Sequence, residues 1–149
     1  MPRVPRSHLP DGVFHVTARG AGGIHVFRED VDRLEFLALL DTSAARHSWA
    51  CHAYCLMGTH YHLVVEAARE RLSAGMHRLN GIYAQRFNRR HGRRGHLFES
   101  RYSAWTIGSD AHLEAACHYV LASPVRAGLC GAPTDWPWSG RPASSDDPA

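Results

Sequence analysis

The sequence predicts an α+β protein with a ferredoxin-like, split βαβ architecture, in which helices pack on an antiparallel sheet. The prediction rests on three observations: a strand-like alternation near the start of the chain, two neighbouring apolar segments that can pair as a β-hairpin, and helical periodicities between and after them. Their order along the chain, β-α-β-β-α-β-α, is typical of this sandwich.

The first half of the chain supplies two of these features. Apolar and polar residues alternate from Gly12 to Arg19, which indicates a strand, and a glycine-rich turn follows at residues 20–23. Residues 30–46 begin with an acidic turn and predict a helix. Its inward face is expected to carry Val31, Leu34, Leu37, Leu40 and Ala44. Segments 49–57 and 61–66 are expected to pair as a hairpin around Gly58-Thr59-His60.

The second half supplies the remaining elements. Ser73 is expected to cap a helix that ends near Gly92 and turns Met76, Leu79, Ile82, Tyr83 and Phe87 inward. Residues 97–107 predict a fourth strand. Ser109 or Asp110 can cap a third helix that Pro124 ends. We expect one domain over residues 1–140 and a disordered tail over 141–149, which is rich in Pro, Ser and Asp.

Composition excludes several classes of protein. The chain has 149 residues, enough for one domain with its own core, and no stretch approaches the roughly 20 apolar residues of a membrane span. The four cysteines show neither a C-x-x-C nor a zinc-finger spacing, and the N-terminus lacks the apolar core of a signal peptide. These features predict a cytoplasmic protein.

Arginine is unevenly distributed. Every basic side chain other than histidine is arginine, and the net charge is +3, yet residues 69–101 contain nine arginines and two acidic residues, a local charge of +7. Such a concentration indicates a phosphate-binding face, and the aromatic residues beside it could stack on bases. The alternative is a solvated helix face whose aromatics lie in the core. Candidate DNA-binding residues are Arg19, Arg78, Arg86, Arg89, Arg90, Arg93, Arg94, Arg101 and Arg126.

Two histidines lie one residue apart in the predicted hairpin. Because successive strand side chains point to opposite faces, His60 and His62 share one face, while Leu63 and Val65 can anchor the strand in the core. Two neutral imidazoles on one face are half of a divalent-metal site. The alternative is that either histidine is an ordinary core or surface residue, because the chain contains twelve.

The third predicted helix carries the candidate nucleophile. Ala115, Tyr119 and Ser123 fall at i, i+4 and i+8, beside an apolar stripe that starts at Leu113. A tyrosine flanked by small residues is open to a large substrate. The alternative for Tyr119 is a boundary residue that packs its ring and hydrogen-bonds its hydroxyl.

These segments together resemble the single-tyrosine HUH transposases, and especially their relatives associated with repetitive extragenic palindromes. The resemblance extends from about residue 12 to 139. The matching blocks occur in family order: Phe14–Gly20, Ala53–Met57, His60–Val65, Leu97–Tyr102, Tyr119, Pro124–Leu129 and Asp135–Ser139.

The resemblance implies an HUH endonuclease fold and a metal-dependent endonuclease and strand transferase. Its substrate would be single-stranded or hairpin DNA. It further implies that His60 and His62 bind Mg²⁺ or Mn²⁺ and that Tyr119 forms a 5′-phosphotyrosine intermediate. A bacterial cytoplasmic protein, associated with the nucleoid when bound to DNA, would fit this activity. Both a dimer that exchanges tyrosine helices and a monomer are compatible with the resemblance, and the Pro124–Leu129 block favours the monomer.

The chain departs from the family pattern at two places. Gly58-Thr59 stands where the family usually has Pro-Asn, which changes the turn without removing a ligand. Ser123 stands where the family commonly has Asn or Gln as a third metal ligand, and a serine hydroxyl is shorter and binds metal more weakly. His112 or water could replace it. The departure favours one alternative, a relative that binds hairpin DNA or RNA without cleavage. A zinc hydrolase or metal-storage protein rests on the histidine count alone.

Overall fold

The computed structural model describes residues 12–99 and 101–142. Within them the chain forms a five-stranded sheet in which every pairing is antiparallel. The strands are β1 (Gly12–Arg19), β2 (Ala50–Leu56), β3 (His60–Ala67), β4 (Ser103–Ile107) and β5 (Ser139–Gly140). Their order across the sheet is β4-β1-β3-β2-β5. The predicted α+β split βαβ sandwich is confirmed, with β5 added at one edge.

Four α-helices complete the fold of the described residues. They are α1 (Asp30–His47), α2 (Arg69–His91), α3 (Asp110–Leu121) and the short α4 (Ser123–Arg126). Single 3-10 turns lie at Ala21–Gly23 and Pro133–Asp135. None of the helices in the described ranges has the length and apolar character that crossing a bilayer demands.

The sheet has a core on each face. Tyr61, Leu63 and Val65 of β3 pack with apolar residues of α1 and α2 on one face. Val64 of the same strand packs with Cys117 and other α3 residues on the opposite face. Because side chains alternate along a strand, the α3 face also receives His60 and His62. The histidines are therefore held on a strand whose other side is fully buried.

Helix α1 turns the predicted face inward only in part, since Leu40 is buried and Leu37 and Ala44 pack against the core. Val31 and Leu34 are exposed, whereas Asp32 and Phe36 are buried. The reason is tertiary: the Asp32 carboxylate accepts hydrogen bonds from the backbone N–H groups of Arg28 and Glu29 and from the side chains of Arg90 and His91. Asp32 lies one helical turn before Phe36, so this buried polar anchor and Phe36 share the inner face of the helix.

Other boundaries also differ from the prediction. Helix α2 begins at Arg69 rather than at Ser73, because the chain enters the helix directly after β3 and Leu72 N–H donates to Ala68 O. Strand β4 begins at Ser103 rather than at Leu97, although Phe98 forms an isolated bridge with Gly20. The predicted tail falls mostly on residues 143–149, outside the described residues.

Helix α3 begins as predicted, since the Ser109 hydroxyl accepts a hydrogen bond from His112 N–H at 3.0 Å. It ends at Leu121, and Pro124 then lies in the first turn of α4. Proline is tolerated there because its missing N–H would have had no helical partner. This break places Tyr119 in the last turn of α3, next to the α4 residues that contact it.

Candidate active site at a histidine and tyrosine cluster

Three histidines meet on the α3 face of the sheet. His60 and His62 of β3 have ring centroids 5.1 Å apart, as their shared face predicts. His15 of β1 joins them, with its ring centroid 5.2 Å from that of His62. The β1–β3 register pairs Thr17 with His62, so His15 is its diagonal neighbour on the adjacent strand. The antiparallel pairing thus brings a third imidazole into the site.

His60 and His62 each have a hydrogen-bonding partner at Nδ1. His62 Nδ1 lies 3.0 Å from His15 Nε2, and His60 Nδ1 lies 3.1 Å from Thr59 Oγ1. In the tautomer protonated at Nδ1, His62 and His60 donate these bonds and keep the lone pair of Nε2. A metal-binding histidine is normally oriented in this way by a bond from its other nitrogen. His60 and His62 are therefore suited to bind a metal through Nε2.

The electrostatic environment keeps these imidazoles neutral. Burial, followed by the nearby His60, His15, Arg126 and Arg19, lowers the pKa of His62 to about 3. Burial also lowers the pKa of His15 and of His60, with smaller contributions from neighbouring cationic groups. Only a neutral imidazole has a lone pair for a metal ion. The chemistry of these donors thus fits a divalent cation.

Tyr119 lies beside the histidines of its own chain. Its ring centroid is 6.0 Å from that of His15 and 6.4 Å from that of His62, and the residue is 52% exposed. The Arg126 guanidinium carbon lies 3.7 Å from the Tyr119 ring centroid, and Arg126 Nη1 donates to Tyr119 O at 2.8 Å. The tyrosine is accessible to a substrate and is held by a cation–π contact.

Ser123 is buried near this pair, but its hydroxyl is engaged. It donates to Tyr119 O at 3.3 Å and accepts from Arg126 Nη2 at 2.9 Å. A guanidinium at this distance repels a cation that approaches the same oxygen. The role of Ser123 as third ligand stays a prediction, and this conformation commits the hydroxyl to joining α3 and α4. His112 lines a neighbouring cleft together with His15 and Tyr119, and its Nδ1 accepts from Gly108 N–H at 3.2 Å.

A cleft of about 400 Å³ opens at this cluster. It is lined by His15, His62 and Tyr119, and by the predicted DNA-binding residues Arg19 and Arg101. Trp105 also lines the cleft and is 55% exposed, with its ring 5.5 Å from that of His15. Cationic, aromatic and imidazole groups therefore surround one opening that contains the tyrosine.

The arginines of α2 lie elsewhere and differ in their partners. Arg86 pairs with Glu35 at 3.0 Å, and Arg90 pairs with both Asp32 and Glu35 at 2.8 Å. Arg93 donates to Asn88 Oδ1 and to His96 O. These partners neutralise or engage part of the cationic segment. Arg78, Arg89 and Arg94 complete the predicted set on α2 and the loop after it. DNA contact by this face stays a prediction.

A second group of ligand-type side chains lies between α1 and α2. Glu29, Asp32 and His91 each offer one potential metal-ligand atom, a carboxylate oxygen or an imidazole nitrogen. These three atoms lie within 4.8 Å of one another. Asp32 already accepts from Arg90 Nε at 2.8 Å and from His91 Nε2 at 3.0 Å, and Arg90 would repel a cation. We assign this cluster to the packing of α1 against α2.

Sequence reasoning missed His15 and Thr59. The sequence pattern places His15 in the first strand, but the role of His15 depends on which strand pairs with β1 and in which register. The alternation of His15, Thr17 and Arg19 on one face of that strand is the signal that could have identified it. Thr59 replaces the usual Asn before the histidine pair, and its hydroxyl contacts His60.

Comparisons with known proteins identify a family and a fold for this chain. A family model described as "Transposase IS200 like" matches residues 13–123. The fold is similar to that of a REP-associated tyrosine transposase bound to a REP hairpin, with a TM-score of 0.71 and 14% identity over 93% of this chain and 82% of that one. The fold is also similar to that of a candidate transposase from Deinococcus radiodurans R1, with a TM-score of 0.55 and 17% identity over 79% of this chain and 95% of that one. No curated protein sequence matches the chain.

The family match covers both histidines of β3, the tyrosine of α3 and Ser123, the residue that departs from the family pattern. The two structural similarities lie under 25% identity and extend the agreement in fold to most of the chain. The chain therefore belongs to the IS200-like transposase family.

Proposed function

We propose that this transposase is a metal-dependent endonuclease and strand transferase that acts on single-stranded DNA next to a hairpin. The observation that carries the proposal is the approach of Tyr119 to His15 and His62 within one chain. The nucleophile Tyr119, the imidazole of His62 and cationic side chains share one cleft, and His60 lies beside His62 on the same face of β3.

The chain's own residues would carry out the reaction as follows. Arg19 and Arg101 hold the scissile phosphate in the cleft by charge-assisted hydrogen bonds. The Tyr119 hydroxyl attacks phosphorus, so that a tyrosyl–phosphorus bond forms and the bond to the 3′-oxygen breaks. The tyrosine loses its proton, and the released 3′-oxygen takes one up. The products are a 5′-phosphotyrosine and a free 3′-hydroxyl.

Tyrosine suits a reversible step. A phenol has a reference pKa of about 10, so phenolate leaves more readily than an alkoxide when a second 3′-hydroxyl attacks the intermediate. Because one phosphodiester replaces another of similar energy, the DNA can be resealed without ATP. His60 and His62 would hold Mg²⁺ or Mn²⁺, which would polarise the phosphate and stabilise charge on its oxygens.

Hairpin DNA is the proposed partner for two reasons. One structurally similar transposase is bound to a REP hairpin. In addition, the Pro124–Leu129 block, which resembles palindrome-associated relatives, supplies the Arg126 that stacks on Tyr119. Since Tyr119 reaches the histidines of its own chain, we further propose that one monomer can complete a cleavage site.

The proposal is tested by incubating labelled single-stranded hairpin DNA with the protein and Mg²⁺ or Mn²⁺, followed by denaturing electrophoresis. The wild-type protein should form an adduct that resists detergent. Tyr119→Phe should form none and should bind the same DNA within about twofold, because one exposed hydroxyl is lost and the ring stays. Adducts from this variant would assign the nucleophile to another tyrosine.

A second candidate is a relative that binds hairpin DNA or RNA without cleaving it. The engaged Ser123 hydroxyl favours this candidate, because it leaves the metal with two imidazoles from His60 and His62. Tight hairpin binding with no adduct in either metal would support it and would overturn the nuclease proposal.

A further inference from the structure

A second cleft, of about 590 Å³, lies on the other face of the sheet between α2 and the segment that leads into β4. Its volume falls in the range of small-molecule pockets, about 300–1,000 Å³. Glu99 and Arg101 line both this cleft and the cleft that contains Tyr119. A strand that reaches the tyrosine past these two residues can therefore extend into the second cleft.

Asn80 of α2 lines this cleft in a defined orientation. The hydroxyl of Tyr61, a residue with no exposed surface, donates a hydrogen bond to Asn80 Oδ1. The side-chain amide is thereby oriented, and its NH₂ group remains a donor. Oriented amides recognise acceptor atoms on the edges of bases. Tyr61 lies between His60 and His62 in β3, so one strand supports both clefts.

Gly81 makes room in the cleft. Glycine is unfavourable inside a helix, and its presence usually has a packing or functional reason. Gly75 of the same helix has a packing reason, since an added Cβ would lie 2.3 Å from Trp49 Cζ2. Apart from its chain neighbours and the backbone of its own helix, no atom of the described residues lies within 4 Å of the Cβ position of Gly81. The described chain therefore does not require this glycine for packing, whereas a ligand that approaches the helix backbone would.

Aromatic rings form another wall. Phe98 and Tyr102 are partly buried against the core and line the cleft. Phe98 is held by edge-on contact with Tyr61 at 5.9 Å. Unpaired bases are bound by such fixed aromatic rings together with side chains that form hydrogen bonds. Arg101 at the border offers a cation for the phosphate beside such a base.

We propose that this cleft binds one unpaired nucleobase of the DNA strand, close in sequence to the phosphodiester that Tyr119 attacks. Asn80 contacts the edge of the base, and Phe98 and Tyr102 pack on it. The assignment rests on the proposed function, because it names part of the substrate of the same active site.

The experiment compares two variants of α2 in the Tyr119→Phe background, which separates binding from cleavage. Gly81→Leu fills the cleft and increases helix propensity, so it should not unfold the protein. Gln85→Leu is the matched control, because it adds the same side chain one turn later, at an exposed position that does not line the cleft. Gly81→Leu should weaken binding of the most tightly bound hairpin strand about tenfold, and Gln85→Leu less than twofold.

An abasic scan then identifies the base. Removing one base near the cleavage point should weaken binding to the parent about tenfold and should weaken binding to Gly81→Leu less than twofold. Asn80→Asp keeps an acceptor for Tyr61 and removes the NH₂ donor, so it should change the preferred base at that position only.

The outcomes separate the two proposals. Equal abasic profiles for the parent and Gly81→Leu overturn the base pocket. In that case the nuclease proposal still stands if the wild-type protein, which retains Tyr119, forms covalent adducts with the DNA. Binding without adducts overturns the nuclease proposal, and the abasic comparison still decides the pocket. Absence of both binding and adducts overturns both.

Discussion

His15 Nε2 lies 3.0 Å from His62 Nδ1, across neighbouring strands of the sheet. This contact orients the His62 ring and leaves its Nε2 for a metal ion. His15 is thus a positioning residue for the proposed metal site, and it comes from a strand that carries neither the histidine pair nor the tyrosine.

The first prediction concerns that contact. His15→Ala should lower the affinity for Mn²⁺ about 10- to 100-fold, as loss of an orienting partner of a metal ligand commonly does. His15→Gln, whose amide oxygen can accept the bond from His62 Nδ1, should recover part of the affinity. Titration of Mn²⁺ followed by electron paramagnetic resonance measures this without DNA. Equal affinity in all three proteins would remove His15 from the metal site.

The second prediction concerns the departure at position 123. Ser123→Asn should increase Mn²⁺ affinity and the rate of adduct formation if its amide oxygen reaches the metal bound by His60 and His62. The physical reason is that an amide is a longer and stronger ligand than a hydroxyl that already bonds to Arg126. Calorimetric titration provides the affinity. Unchanged affinity would mean that water or His112 completes the site.

The third prediction concerns the contact between Arg126 and Tyr119. Arg126→Ala should slow adduct formation about tenfold, because loss of a cation–π contact costs about 1–2 kcal/mol. Arg126→Lys keeps the charge without the planar fork and should show an intermediate rate. Single-turnover rates of adduct formation, at saturating DNA, measure the effect. A rate for Arg126→Ala equal to that of the wild type would show that this contact is not needed for attack.

The fourth prediction separates the two arginine-rich surfaces. Arg101 lines the cleft with Tyr119, whereas Arg86 is paired with Glu35. Arg101→Ala should therefore reduce the salt dependence of single-strand binding by up to about 0.7 in the slope of log K against log salt. Arg86→Ala should leave the slope nearly unchanged. Fluorescence anisotropy at several salt concentrations gives both slopes, and the opposite ranking would place the DNA on α2.

The fifth prediction concerns acid stability. The unfolded chain protonates His62 below pH 6.5, while burial and the nearby cationic groups keep the pKa of the folded residue near 3. Stability is therefore lost as the pH falls below 6.5, by about 1.4 kcal/mol per pH unit from this residue. When the pH falls from 7 to 5, the free energy of unfolding should decrease in both proteins. The decrease should be about 2 kcal/mol smaller in His62→Gln than in the wild type.

Urea unfolding in the presence of a chelator measures both proteins at the two pH values. The chelator matters because a bound metal would itself stabilise the folded chain. The same loss of stability in both proteins would mean that His62 is protonated in the folded state well above pH 5.

Local patterns predicted much of the fold and of the site. The alternation of residues 12–19 and the hairpin around Gly58 predicted three of the strands, and the order of elements predicted the antiparallel sandwich. The alternation of β3 also predicted that His60 and His62 share a face. These features follow from the period of two in strands and the period of about 3.6 in helices, which depend only on neighbouring residues.

Tertiary structure decided which residues from distant segments become neighbours, and the local periods do not encode this. Asp32 is buried on the inner face of α1 because Arg90 and His91, far along the chain, supply its hydrogen bonds. His15 lies in the site because β1 pairs with β3 in the register that sets Thr17 opposite His62. A periodic pattern gives the face on which a side chain lies, but the neighbours on that face come from other elements. The sequence alone thus determined the histidine pair and the tyrosine as candidates, and packing of distant segments brought His62 and Tyr119 to one cleft with His15.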